Sequence, residues 1–308
     1  MVDESGISVV VGAVLIVAVL IPTFLFFSYF YNRHAIYVLE QRHFEEVKTS
    51  FSEIQLAMSI LPLGGTTIVS MPMSEEPVPN VVGFFPLLFG KTESTASGLA
   101  FENHTLKFYS GYLEYPNSKI VLENGAVILL GENSMGMLFP PPVLGIRENQ
   151  EITREISIDG IKVMAGKVIE IYHTVYKLEG EDFGISATGT LNVGIRLENE
   201  YFECPFDGER FENKAQYENH MATVHGWPLD NITIRFYTSY ENSWYDYLLI
   251  ENDWLKGRGY HPSIKKGNGY VDFTILGAFE MRKDVYNNLI RDVMYYRKVR
   301  VIEIKTQA

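Results

Sequence analysis

The feature that most constrains this chain is an uninterrupted apolar run close to its N-terminus. No charged side chain occurs between Glu4 and Arg33, and the apolar run covers residues 7–31. As a helix this run is about 37 Å long, which is enough to cross the roughly 30 Å hydrocarbon core of a bilayer. Pro22 would remove one helical hydrogen bond, which membrane helices tolerate, and we expect a bend there. The run is therefore predicted to be a single transmembrane helix in contact with membrane lipid.

Two other interpretations of the apolar run are a cleaved secretory signal and a buried core helix. A secretory signal has a basic N-terminal region and small residues at its cleavage site, whereas this chain begins with Asp3 and Glu4 and carries bulky aromatic residues. The length of the run favours a membrane span over a core helix.

The helical pattern continues beyond the apolar run, through residues 32–61. Apolar residues recur at alternating spacings of three and four: Phe44, Val47, Phe51, Ile54, Met58 and Leu61. This spacing places them on one face of an amphipathic helix, which Pro62 and the glycines after it would end. The stripe predicts packing against the chain's own domain, since barely three heptads are present for a coiled coil.

The start of the chain resembles the archaeal type IV pilin-like proteins, whose precursors carry a class III signal peptide. The resemblance covers about the first sixty residues and rests on Gly6-Ile7-Ser8-Val9-Val10-Val11-Gly12 followed by the apolar run. It implies a short leader, residues 1–6, that a prepilin peptidase removes by cutting between Gly6 and Ile7. It also implies that other pilin-like subunits are partners and that the domain after the helix lies outside the cell.

The charges around the span and the resemblance predict opposite orientations. Arg33 and Arg42 follow the span, and the positive-inside bias would place the following domain in the cytoplasm. Two glycosylation-type triplets, which begin at Asn103 and Asn231, are consistent with an exported surface. We expect an extracellular domain on a single-pass cell-membrane anchor.

The body of the chain, residues 66–308, is predicted to be β-rich. Strand-like runs alternate with turn signals, most clearly at 106–115, 119–130, 152–158, 166–178 and 185–197. Asn124-Gly125 inside the second run predicts a tight hairpin. These spacings favour an antiparallel, sandwich-like arrangement over βαβ units, and the predicted fold class is therefore α+β.

Three further elements are expected after residue 230. A strand is predicted at 232–237, and Ser243 is expected to cap a helix that ends near Gly257, with Trp244, Leu248 and Trp254 facing the sheet. The stretch 279–304 is consistent with a helix in its first part and with a strand in its second part.

One segment, residues 201–227, carries a pattern of metal ligands. Cys204, Asp207, His220 and His225 have the spacing C-x2-D-x12-H-x4-H, which closely resembles a single two-cysteine, two-histidine zinc finger with Asp207 in place of the second cysteine. Such a finger is a small ββα unit, and Phe211 and Tyr217 fall where its hydrophobic core would lie. Four protein ligands make a closed site, so bound zinc would be structural. The alternative is a metal-free insert held by aromatic residues and the host sheet.

Composition excludes some functions. Because the net charge is −12, the chain would repel a phosphate backbone, and the insert itself has more acidic than basic residues, so we expect no nucleic-acid partner. A single cysteine excludes an intrachain disulfide. No nucleophile elbow, phosphate loop, dinucleotide fingerprint or H-E-x-x-H motif is present, and we expect a protein that is not an enzyme. The first hypothesis is a pilin-like surface protein acting in filament assembly or adhesion, and the second is a cytoplasmic, membrane-tethered zinc-finger regulator that binds a protein partner. The third is an enzymatic ectodomain, which a deep polar pocket with a strongly perturbed carboxylate would favour.

Overall fold

The structure of the chain is a computed structural model. It describes residues 4–73, 97–111, 118–131, 135–149, 155–158, 161–164, 168–227, 229, 231–257, 260–276 and 293–307.

Three helices lie within the described residues. They are α1 (Glu4–Ile60), α2 (Lys214–Val224) and α3 (Glu241–Gly257). Helix α1 has 57 residues and passes through Pro22 without interruption, which corresponds to a rod about 86 Å long. The predicted transmembrane and amphipathic segments are therefore parts of one continuous helix.

The apolar side chains in the N-terminal half of α1 are largely exposed within the part of the chain that the structure describes. Apolar side chains around its whole circumference are exposed, such as Val14 at 63 % and Phe27 at 66 %. Among the described residues, α1 is the one helix long and apolar enough to span a membrane.

The C-terminal half of α1 lies on the β-domain through the predicted stripe. Val47, Phe51, Ile54 and Met58 are completely buried in the main core, and Phe44 packs at its edge. Burial of Val47, Phe51 and Met58 stabilises the fold by about 1.5–3 kcal/mol for each side chain. The prediction that the stripe packs against the chain's own domain is confirmed.

The described residues include seventeen strands. In chain order they are β1 (Thr66–Pro72), β2 (Ser97–Glu102), β3 (Thr105–Tyr109), β4 (Lys119–Glu123), β5 (Ala126–Leu130), β6 (Met135–Phe139), β7 (Leu144–Asn149), β8 (Glu155–Ile158), β9 (Ile161–Met164), β10 (Val168–Glu179), β11 (Phe183–Ala187), β12 (Thr190–Glu203), β13 (Arg210–Phe211), β14 (Asn231–Tyr237), β15 (His261–Lys266), β16 (Tyr270–Leu276) and β17 (Val293–Gln307).

Two six-stranded sheets share one hydrophobic core. The first has the order β1-β12-β17-β10-β7, with β13 paired to the end of β12, and the second has the order β11-β2-β3-β4-β5-β6. A three-stranded sheet, β14-β16-β15, and the hairpin β8-β9 complete the described strands. The predicted α+β class with a mostly antiparallel β-domain is confirmed. One pair departs from it, because β10 and β17 run parallel over their whole paired length.

Strand β17 has different surroundings on its two faces. Val293 and Tyr295 face the main core, whereas Met294 and Tyr296 face a second, smaller cluster formed with α2. This alternation is the normal two-residue period of a strand. It makes β17 the wall shared by the main core and the segment that carries the predicted metal ligands.

Several sequence predictions can be compared directly with these elements. The run 119–130 is a hairpin, and its two turn residues have positive φ, 50° at Asn124 and 78° at Gly125, as expected for a type I′ turn. The run 185–197 was predicted as one strand, which is wrong, because a turn with Gly189 at φ 91° separates β11 from β12. Residues 293–304 are strand, so the helical alternative for 281–296 is wrong at residues 293–296. Its other residues, 281–292, lie outside the described residues.

Helix α3 differs from its prediction in two respects. It begins at Glu241, two residues before the expected cap Ser243, which is buried inside the first turn. Trp244 and Leu248 face the core as predicted, but Trp254 remains 37 % exposed. The face of α3 that packs against the core is therefore narrower than the sequence predicted, because it does not fully include Trp254.

Gly125→Ala is expected to lower the free energy of unfolding by about 2–4 kcal/mol, because a positive φ disfavours alanine and the packing is tight. A Cβ at this position would lie 2.7 Å from the ring of the buried Tyr176. Gly64→Ala is the matched control, since Gly64 has a similar φ of 75° and nothing within 4 Å of its Cβ position. Urea unfolding of the detergent-solubilised chain measures both. If both variants lost the same free energy of unfolding, the predicted steric contact with Tyr176 would be contradicted.

Candidate metal centre

The first two predicted ligands lie in a tight turn at the end of β12. Strand β12 ends at Glu203, and the chain reverses before β13, which pairs back so that Phe202 lies opposite Phe211. The turn is closed by the Gly208 N–H, which donates to the Cys204 carbonyl at 3.0 Å, and by the Cys204 N–H, which donates to Glu209 at 2.8 Å. Gly208 has a φ of 77°, a conformation that glycine adopts without strain. The turn thus places Cys204 and Asp207 on the same side.

The other two ligands are presented by α2. Asn213 caps this helix, because its side-chain oxygen accepts a hydrogen bond from the Gln216 N–H. His220 lies on the buried face of the helix, and His225 is its C-terminal cap residue. A spacing of five residues brings both rings to the end of the helix that faces the turn.

The four side chains converge on one point. His225 Nε2 lies 3.3 Å from Cys204 Sγ, 3.0 Å from Asp207 Oδ2 and 3.2 Å from His220 Nε2. His220 Nε2 lies 3.0 Å from the same Asp207 oxygen. One ligand atom from each residue falls within 4.8 Å of every other, so this group could hold a metal ion.

The geometry fits a tetrahedral cation better than it fits hydrogen bonding alone. Around zinc, two nitrogen or oxygen ligands are about 3.3 Å apart, and a sulfur and a nitrogen are about 3.6 Å apart. The observed separations are within a few tenths of an ångström of these values. A neutral imidazole carries one N–H proton, and His225 Nε2 therefore cannot satisfy three neighbours by donation. Lone pairs that converge in this way are the arrangement that a cation stabilises.

The surroundings of the ligands orient them for this role. His220 directs its Nδ1 towards Glu209 Oε2, at 3.2 Å, which leaves Nε2 for the shared centre. Asp207 accepts the Glu209 N–H through Oδ1, and this hydrogen bond, together with contacts from Cys204 and His225, holds the pKa of Asp207 well below its usual range. Burial raises the pKa of Cys204. A bound cation would favour the thiolate and offset that rise.

The hairpin and α2 are also held by the first sheet. Tyr217 is completely buried and donates its hydroxyl to the Tyr295 carbonyl at 2.6 Å. Tyr217, Met221, Met294 and Tyr296 form the smaller hydrophobic cluster with Cys204. The aromatic contacts anticipated for the metal-free insert are therefore present together with the converging side chains, and these contacts do not decide between the two alternatives.

Sequence spacing identified all four residues that the structure brings together. It did not identify Glu209, which orients His220, or the aromatic platform of Tyr172 and Tyr296, whose rings stack 4.6 Å apart beneath Lys214. Glu209 lies two positions after Asp207 in the sequence, but no spacing rule predicts that its side chain would contact His220. The platform comes from β10 and β17, which are distant in the sequence.

Comparison with known proteins gives no identification. No protein family, no curated protein and no solved structure matches this chain.

Proposed function

We propose that this chain is a single-pass, membrane-anchored, pilin-like surface protein that displays its β-rich domain outside the cell and acts in filament assembly or adhesion, without catalysis. The observation that carries this proposal is the division of α1 into two halves. Its first half exposes apolar side chains in all directions, and its second half is docked through a buried stripe. Lipid, or the helices of other subunits, would cover the first half.

Aromatic residues support a membrane boundary near the middle of α1. Phe24, Phe26, Phe27, Tyr29, Phe30 and Tyr31 are clustered at the end of the apolar run. Tyrosine is one of the amphipathic aromatic residues that are enriched at the membrane interface, and Tyr29 and Tyr31 lie just before the first cation, Arg33. This placement puts the bilayer around residues 7–31 and leaves the β-domain in water.

The orientation is supported by the turn between β2 and β3. Asn103 is exposed and lies in this turn with a φ of 50°, and its glycosylation-type triplet is completed by Thr105. A two-residue turn at the surface is accessible to a modifying enzyme. The predicted cleavage bond, Gly6–Ile7, lies in the first turn of α1, and its removal would leave a mature helix beginning at Ile7.

Zinc is proposed as a structural ion held by Cys204, Asp207, His220 and His225. It would join the turn after β12 to the end of α2 and would fix this segment on the first sheet. All four positions are filled by protein atoms, so the ion would have no open position for a substrate. Zinc fits the mixed sulfur, nitrogen and oxygen donor set, and its role is the stability of the displayed domain.

A second candidate function follows from the positive-inside bias. Arg33 and Arg42 on the domain side of the span favour a cytoplasmic domain. In that case the metal-bearing segment would belong to a membrane-tethered regulator with a protein partner.

Protease treatment of intact cells distinguishes the two functions. We expect an impermeant protease to degrade the β-domain while a cytoplasmic marker protein survives, and mass spectrometry to find a mature chain that starts at Ile7. Gly6→Val, which blocks the expected cleavage site, should retain residues 1–6 with the domain still accessible. A protected domain with an intact N-terminus, degraded only after the cells are permeabilised, would refute the surface assignment and support the cytoplasmic regulator.

A further inference from the structure

A cleft of about 390 Å³ lies between β14 and the middle of the parallel pair β10 and β17. His173 from β10, with Tyr295 and Arg297 from β17, lines one side, and β14 from Ile232 to Tyr237 lines the other. Trp244 of α3 and Pro205, next to the metal centre, complete its wall. Its volume is near the lower end of the range for small-molecule sites.

The charge of this cleft differs from that of the whole chain. Its described lining includes two arginines, Arg235 and Arg297, but no carboxylate, although the chain has a net charge of −12. The Arg235 guanidinium is paired with Asp272 through two hydrogen bonds, at 2.7 and 2.8 Å, and its charge is balanced.

Among the described residues, the ion-pair partner of Arg297 is Glu203, which other cations also approach. Arg297 lies 3.1 Å from Glu203, but Lys177 and Arg210 also approach the same carboxylate, at 4.0 and 3.9 Å. Three cations therefore share one anion. Arg297 uses one of its terminal nitrogens in this pair, and the guanidinium has further N–H groups to offer an anion in the cleft.

Uncharged side chains lie beside Arg297 in the cleft, and they suit the apolar part of a ligand. His173 Nδ1 lies 2.6 Å from the Tyr295 hydroxyl. Burial, and to a smaller extent Arg297, lowers the pKa of His173 to about 3, and this imidazole is neutral at physiological pH. The Phe236 ring stacks on Trp244 at 5.1 Å and makes an edge contact with His173, which gives the cleft a flat apolar wall.

We propose that this cleft binds a small organic carboxylate, with the acid group against Arg297 and the apolar body along Phe236 and Val175. Cationic anchoring at one end and apolar surface along the rest is the usual composition of a small-molecule site. A ligand of about ten non-hydrogen atoms would fit this volume. None of the four predicted metal ligands lines the site, and the site does not depend on the membrane orientation of the domain.

The test uses 4-fluorobenzoate as the probe and 4-fluorobenzamide as its uncharged match, with the full chain in lipid nanodiscs and ¹⁹F NMR as the readout. We expect saturable binding of the carboxylate with a Kd of about 1 mM or tighter and at least about tenfold weaker binding of the amide. Empty nanodiscs provide the blank for partition into lipid.

Three variants locate the binding. Val175→Phe adds a ring to the lining and should abolish saturable binding, and Arg297→Lys should weaken it about tenfold by removing the planar fork. Arg196→Lys, on an exposed part of β12, should leave the Kd unchanged. Circular dichroism and the unfolding midpoint establish that each variant is folded. No saturable carboxylate binding, equal binding of the amide, or unchanged binding in folded Val175→Phe would each overturn the proposal.

Discussion

Cys204→Ser is expected to abolish stoichiometric zinc binding, with an apparent affinity at least about a thousandfold below that of the wild-type chain, or ~4 kcal/mol. The Cys204 thiolate would be the strongest of the four metal ligands. Its Sγ belongs to a group of four ligand atoms that all lie within 4.8 Å of one another. Zinc content by mass spectrometry, and competition with a chromophoric chelator on the detergent-solubilised chain, give the stoichiometry and the affinity. Removal of zinc from the wild type should lower the unfolding midpoint.

Two further variants make this result specific to the proposed ligands. Asp207→Cys supplies a second thiolate and should tighten zinc binding. Met221→Leu changes a core residue whose sulfur lies only 3.9 Å from Cys204 Sγ, and it should retain one zinc per chain. A wild-type chain without zinc after growth in zinc-supplemented medium, together with an Asp207→Cys variant that gains none, would show that the segment is metal-free.

Arg300→Met is expected to lower the free energy of unfolding by about 2–4 kcal/mol, because it removes the charged donor of two carbonyls together with one ion pair. Arg300 is only 7 % exposed and forms an ion pair with Glu200 at 3.0 Å. Its guanidinium also donates to the carbonyls of Ser59 and Leu61 at the end of α1. The substitution would leave these carbonyls without that donor and would remove a cation from the negative end of the helix dipole.

Lys298→Met provides the matched control. Lys298 lies 2.7 Å from the other oxygen of Glu200 but is 36 % exposed, and its loss should cost no more than about 1 kcal/mol. Urea unfolding gives both free energies, and hydrogen exchange should show faster opening of the last turn of α1 in Arg300→Met alone. Equal effects of the two substitutions would mean that the contact with α1 contributes little.

The parts of the fold that depend on local pattern could be predicted from the sequence. The spacing from Phe44 to Leu61 gave the buried face of α1, and Asn124-Gly125 gave the hairpin turn, because both depend on neighbours within a few residues. The four residues whose side chains converge were also identified by their spacing, because metal geometry imposes recognisable spacings on a candidate site.

Contacts between distant parts of the chain could not be predicted. Nothing around Arg300 indicates that it caps a helix that ends about 240 residues earlier. The parallel pairing of β10 with β17 is equally hidden, because strand pattern does not specify the partner. The proximity of His173 to Arg297 is hidden for the same reason, because it depends on the register of that parallel pair.

The position of β17 in the first sheet has a consequence for biogenesis. This strand follows all of its sheet partners in the chain, yet it lies between β12 and β10 and pairs with both. Until it emerges from the ribosome, the sheet has a gap at its centre, and the strands on either side lack their main partner. Translation order therefore leaves the first sheet incomplete until β17 itself has been synthesised.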